Sequence, residues 1–144
     1  MSQVPPPSSP VQHSIEFRVQ YNETDGQARV HHGQYANYFE RGRIELLRAC
    51  GQSYREFEAG GLYLIVAELQ VQFLSAAEFD DRLRLTTSVA EVRGARIRHE
   101  YRVERLGDDD SVTPVVTGST VIACVDQTGR AKRIPNSLKE AKLN

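Results

Sequence analysis

One short stretch of the chain concentrates the side chains that could do chemistry. From residue 21 to 35 it reads Tyr-Asn-Glu-Thr-Asp-Gly-Gln-Ala-Arg-Val-His-His-Gly-Gln-Tyr, with a carboxylate at Asp25 and imidazoles at His31 and His32 among amides and phenols. The stretch has no hydrophobic periodicity and carries Gly26, so it is predicted to be a loop. A helical pattern starts directly after it. The loop therefore leads into a helix N-terminus, whose unpaired N–H groups and partial positive charge can polarise a carbonyl or hold an oxyanion. A carboxylate folded back over that site could serve as nucleophile or general base.

The same residues have plainer readings. Asp25 can simply close an Asx-type turn, and the two histidines can face solvent or bond to the backbone. Adjacent side chains diverge on a strand or helix, so His31 and His32 make a poor chelating pair and no metal site is expected. Glu40 and Glu45 are expected in surface pairs with Arg41, Arg43 or Arg48. The chain contains no G-x-S-x-G elbow, P-loop, G-x-G-x-x-G or H-E-x-x-H sequence.

Positioning this loop falls to the elements around it. Ile15, Phe17, Val19 and Tyr21 alternate with Glu16, Arg18 and Gln20, the period of a half-buried strand. Tyr35, Tyr38, Phe39, Gly42, Leu46, Ala49 and Cys50 then recur at helical spacing, with Ala36 and Leu47 on the shoulder and Gly51 as a stop, which predicts an amphipathic helix over 33–50. A short second helix is expected from Ser53 to Ala59. Four further strands are predicted at Leu62–Leu74, Arg82–Arg93, Arg96–Leu106 and Val112–Val125, with a helix start at Pro135–Glu140. The connections are too short for crossover helices, so the strands pair mainly antiparallel. One helix covers only one face of such a sheet, which leaves an edge or face for a partner, and a second copy is the simplest.

Composition removes several alternatives. The 144 residues are 40% hydrophobic and 26% charged, enough for one core. Eighteen Lys and Arg against nineteen Asp and Glu leave a net charge of −1, so a nucleic-acid partner is not expected. The longest strictly apolar run, Leu62–Ala67, is far short of the roughly 20 residues of a membrane span. Residues 1–13, with four prolines among serines, are expected to be a disordered tail. They lack the charged and apolar regions of a secretory signal, which predicts a cytoplasmic protein. Cys50 and Cys124 are expected to be buried small hydrophobes.

The order of these pieces has a known counterpart. The stretch Tyr21–Arg48, Y-N-E-T-D-G-Q-A-R-V-H-H-G-Q-Y-A-N-Y-F-E-R-G-R-I-E-L-L-R, resembles the signature of hotdog-fold acyl-CoA thioesterases of the 4-hydroxybenzoyl-CoA thioesterase and YbgC type. That signature is an Asp, a few small residues, a hydrophobic residue, His-His or similar, a small residue, Asn-Tyr, and a helix with F-E-x-x-R. The resemblance continues through Gly61–Phe73, Phe79-Asp80-Asp81, Val121–Gly129 and Arg133-Ile134-Pro135.

The resemblance implies an α+β hotdog fold over residues 14–144, a five-stranded antiparallel sheet wrapped around one long central helix. It implies that Asp25 attacks the thioester or activates water, and that His32, seven residues on, offers its backbone N–H to the carbonyl. It sets His31 and Tyr35 beside the substrate. The implied substrate is an acyl-CoA or acyl-carrier-protein thioester lying across the interface of a homodimer or homotetramer. Arg93, Arg96 and Arg133 are the candidates to meet its phosphates.

Two departures stand out: Ala28-Arg29 replaces a usual Gly-Val, and Gln34 replaces Asn. Arg29 could favour a polar or carboxylated acyl group, or point outward. Hydrolysis to free acid and CoA needs no cofactor, because a thiolate leaves readily. Two other readings are a non-catalytic acyl-CoA-binding hotdog protein, as sensor or scaffold, and a 3-hydroxyacyl thioester dehydratase.

Overall fold

Alternation of apolar and polar residues sets the first strand of the computed structural model, which describes residues 11–139. In β1 (Gln12–Arg18), Ile15 and Phe17 pack inward while Glu16 and Arg18 face out. The strand starts two residues inside the segment assigned above to the tail, because β3 extends far enough to pair Gln12 with Ser88. The rest of that expectation, residues 1–10, lies outside the described residues. Alternation holds to Val19 and then fails. Gln20 and Glu23 close a capping box around a 3₁₀ turn at Tyr21–Glu23, which swings the chain off the sheet and leaves Tyr21 78% exposed.

The predicted helices form as α1 (Gln34–Ala49), α2 (Tyr54–Ala59) and α3 (Asn136–Lys139). Ser53 Oγ caps α2 by accepting the Glu56 N–H. The other strands are β2 (Tyr63–Phe73), β3 (Arg82–Arg93), β4 (Arg96–Leu106) and β5 (Val112–Val125). They form one antiparallel sheet in the order β1-β3-β4-β5-β2. It curls around α1 as the expected hotdog.

The inner face of the sheet carries Leu83, Leu85, Tyr101, Val103 and Val116, and Tyr35, Tyr38 and Phe39 of α1 pack into the same core. The Phe39 and Tyr101 rings stack flat, 4.1 Å apart and 7° from parallel. Two glycines make room for the helix. A Cβ at Gly118 would stand 2.6 Å from the Phe39 ring and 2.8 Å from Gln70 O, and one at Gly42 would stand 2.3 Å from Thr87 Oγ1.

Position on the helix overrides residue type at Arg43. It was expected in a surface pair, but it falls one turn after Phe39 on the inward stripe and is buried, with Nη1 donating to Tyr101 Oη at 3.0 Å. Glu45 pairs with Arg48 instead. Cys124 is buried as expected, whereas Cys50, at the helix end, is only half-buried. Strand β2 is an edge of the sheet, and its Ile65, Val66, Leu69 and Phe73, with Leu74 just beyond, stay largely exposed. No helix among the described residues is long and apolar enough to cross a membrane.

Gly118→Ala should lower the stability of the fold by about 1–3 kcal/mol through overpacking against Phe39, measured by urea denaturation. Unchanged stability would show that α1 is not seated through this contact.

Candidate active site

The loop after the 3₁₀ turn folds back on itself. Thr24 and Val30 pair across it, the Asp25 N–H donates to Arg29 O at 2.7 Å, and the Ala28 N–H donates to Asp25 O at 3.1 Å. Ala28 takes a left-handed φ of 65°, a conformation that glycine would adopt without a Cβ cost. Asp25 Oδ1 accepts the Gln27 N–H at 2.8 Å and the Arg29 N–H at 3.3 Å. The Asx-type turn therefore forms. It uses one carboxylate oxygen and leaves Oδ2 without a partner among the described residues. The Gln27 N–H, with smaller help from Arg29 and His31, holds the exposed carboxyl below the usual aspartate pKa of 3.8.

Glu23, which the sequence reading passed over, ties this loop to α1. Its Oε1 accepts from Tyr38 Oη at 2.9 Å and from the Gln20 N–H at 2.8 Å, and its Oε2 accepts from Gln34 Nε2 at 3.0 Å. The length of the Gln34 side chain makes that reach. Burial, helped by Glu23, keeps the Tyr38 phenol well above its ordinary pKa. The Gln20–Glu23 capping-box spacing was the available signal.

The start of α1 has no side-chain cap at Gly33. The Gly33 N–H is taken by His31 Nδ1 at 3.1 Å and the Gln34 N–H by His31 O at 2.9 Å. The His32 N–H bonds to no other described residue. It remains a free donor at the positive end of the helix.

Asp25, Arg29, His32 and Tyr35 line one open cleft of about 390 Å³, closed on the other side by Phe73, Leu74, Ser75 and Ala76 at the end of β2. Nothing local in the sequence marks those four residues. Tyr35 is mostly core: its ring meets Phe73 at 5.8 Å, and burial pushes its hydroxyl up to about 12. His31 is outside the lining, stacked on His32 at 4.3 Å. A larger hollow of about 510 Å³ lies on the outer face of the sheet, but Arg98 and Glu100 there pair with each other and no helix end reaches it.

Arg93, Arg96 and Arg133 gather elsewhere. Arg93 pairs with Arg96 across the Gly94 turn, and the Ile134 N–H donates to Gly94 O at 2.9 Å. That is the far end of β3 from the Asp25 loop, roughly 36 Å away for a strand of this length. Within one chain they do not share a site. Among the described residues no group of three or more His, Cys, Asp or Glu side chains is placed to hold a metal ion.

Comparison with known proteins agrees with this architecture. Residues 19–141 match the model of the thioesterase-like superfamily. An acyl-CoA thioesterase YbgC from Haemophilus influenzae is 36% identical over 132 residues, covering 89% of this chain and 92% of the relative. A probable thioesterase from Bartonella henselae superposes with a TM-score of 0.78 at 29% identity, over 86% of this chain and 99% of the other. The 4-hydroxybenzoyl CoA thioesterase from Pseudomonas sp. strain CBS-3 shares the fold, with a TM-score of 0.82 at 18% identity over 90% and 97% of the two chains. By its sequence and its fold alike, the chain belongs to the thioesterase-like superfamily.

Proposed function

We propose that the chain hydrolyses an acyl-CoA thioester to the free acid and CoA in the cytoplasm. The observation that carries this reading is the meeting, in one cleft, of the Asp25 carboxylate and His32, which precedes α1 and whose N–H bonds to no other described residue. The relative named acyl-CoA thioesterase supports the substrate class.

The chemistry follows from the geometry. As general base, Asp25 takes a proton through Oδ2 while water oxygen bonds to the thioester carbon. The carbonyl electron pair moves onto oxygen, and the His32 N–H holds that oxyanion, a contribution of about 10²–10³ in rate. When the tetrahedral species collapses the C–S bond breaks and CoA leaves as thiolate. As nucleophile, Asp25 displaces the thiolate itself to form a mixed anhydride, which water then cleaves. Label found in the Asp25 carboxylate after a single turnover in ¹⁸O water would identify the second route, with water attacking the aspartyl carbonyl of the anhydride.

A dimer completes the site. The apolar edge of β2 is free to pair with a second β2 about a twofold axis, which sets the Tyr63 end of one strand beside the Phe73 end of the other. Tyr63 pairs with Val125, close to the Gly94 turn and its arginines. The arginine end of one copy then faces the Asp25 cleft of its mate, where the phosphates of a bound CoA would extend. His31 contributes by bonding the Gly33 N–H, and Arg29 supports a polar or carboxylated acyl group.

Asp25→Asn should reduce kcat by about 10²–10⁴ with an unchanged melting temperature; wild-type turnover in this variant would remove Asp25 from the mechanism. A hydrolysis panel of short, long, aromatic and carboxylated acyl-CoAs tests the activity, and tight binding without hydrolysis across it would establish the non-catalytic reading instead. Because the folded-state pKa of Asp25 lies below 3.8, activity should stay level from about pH 5 to 8 as far as this group is concerned. Loss should come only as the carboxylate takes up its proton below about pH 4; an acid limb centred above pH 5 would assign that limb to another group. Sedimentation should show a dimer or tetramer, and Leu69→Lys on the β2 edge should yield a less active monomer. A fully active wild-type monomer would overturn the shared site.

A further inference from the structure

In the C-terminal half of α1, with Arg43 roughly 12 Å along the helix axis from Tyr35 of the cleft, lies a small hollow of about 60 Å³ that the hydrolytic reading does not use. Most of its wall is apolar, with Leu46, Leu64, Val92 and Ile97 among the side chains. Arg43, His99 and the Tyr54 hydroxyl interrupt that wall, and Arg43 and His99 are only 7% and 6% exposed. Arg43 Nη1 is engaged by Tyr101 Oη, which in turn bonds Thr120 Oγ1 at 2.5 Å. Among the described residues, Arg43 Nε and His99 Nδ1 are buried with no hydrogen-bond partner. Buried polar groups are seldom left so.

The charge is equally unanswered. A guanidinium stays ionised at any pH the fold withstands, and a buried charge without a counter-charge is strongly unfavourable. Among the described residues no carboxylate lies within ion-pair distance of Arg43. The Tyr54 and Tyr101 hydroxyls beside it are kept protonated by burial. His99 is kept neutral, its pKa pushed down to about 3 by burial and by Arg43. The Tyr54 hydroxyl is a second hydrogen-bonding neighbour of the guanidinium beside Tyr101, which leaves Nε–H as its open donor among the described residues. A hydrogen bond from an ionised donor to a carboxylate is among the strong ones.

We infer that this hollow binds a short monocarboxylate of acetate or propionate size, with its oxygens on Arg43 Nε–H and on His99 Nδ1–H and its alkyl end among Leu46, Leu64, Val92 and Ile97. The volume is several times the roughly 10–15 Å³ that seats one water. It accommodates about four or five heavy atoms and no longer chain. A halide would answer the charge but leave the apolar wall unfilled. The inference is independent of the proposed hydrolysis.

The test is thermal unfolding of the full chain at pH 7 and constant ionic strength, titrated with acetate, propionate, octanoate or chloride. Acetate and propionate should raise the melting temperature saturably, as expected for a ligand held only by the folded state, and chloride and octanoate should not. The rise should persist in Arg29→Gln, which alters the other cleft. Val92→Phe fills the hollow while leaving Arg43 in place, and there the apparent affinity should fall at least tenfold. Arg43→Met also removes the Tyr101 bond and can unfold the chain, so line broadening of ¹³C-acetate by the wild-type protein provides a second measure. No rise with either short carboxylate, an equal rise with chloride or octanoate, or a rise that survives Val92→Phe would overturn the assignment.

Discussion

The seat of α1 in the curve of the sheet is the contact on which the other parts depend. Phe39 lies flat on Tyr101 because position 118 has no side chain, and Gly42 comes against Thr87 and Leu85 for the same reason. Aromatic stacking of this kind adds to area burial, but its larger effect is to fix where the helix ends. With the axis set, the N-terminus opens at the surface cleft and the C-terminal half carries Arg43 into the interior. A shift of α1 by one turn would disconnect both.

The two ends of α1 handle charge in opposite ways. At its start, Asp25 is exposed and its charge is stabilised by backbone N–H groups of its own turn, so the carboxylate remains ionised without an arginine partner. Glu23 does the quieter task of holding that turn to the helix through Tyr38 and Gln34. Toward the end of α1, Arg43 is enclosed by phenols, a neutral imidazole and aliphatic side chains. Solvent supplies what Asp25 lacks, whereas nothing in the described fold supplies it for Arg43.

A chain of this size has one helix to cover one face of five strands, and the geometry shows where that coverage ends. β2 is continuously apolar to Ala67 and alternates only from Glu68 onward, and the edge position leaves Ile65, Val66, Leu69 and Phe73 open. Exposed edges of this kind invite pairing. The same edge runs into Phe73–Ala76, which close the cleft, so the exposed apolar edge and the cleft wall adjoin along one strand.

β-branched and apolar enrichment between turn-forming clusters located β2 to β5, and helical spacing located α1, almost to the residue, because those signals are local and the hydrophobic surface they create must be buried. The order of Asp25, His31-His32 and Tyr35 ahead of the helix likewise pointed to a loop feeding a helix N-terminus. Other features could not be read that way. Tyr21 leaves the strand because of a capping box, Arg43 is buried because its position faces the sheet, and His31 turns from the cleft to bond Gly33. The separation of Asp25 from Arg93, Arg96 and Arg133, and the arrival of Phe73–Ala76 beside His32, depend on strand order. Strand order rests on contacts between residues distant along the chain, which local periodicity does not encode. The sequence by itself therefore determined the elements, their pairing sense and the chemical character of the loop. Only the tertiary structure decided which side chains share a cleft and which charge lies buried without an ion-pair partner among the described residues, since both are settled by packing across the sheet.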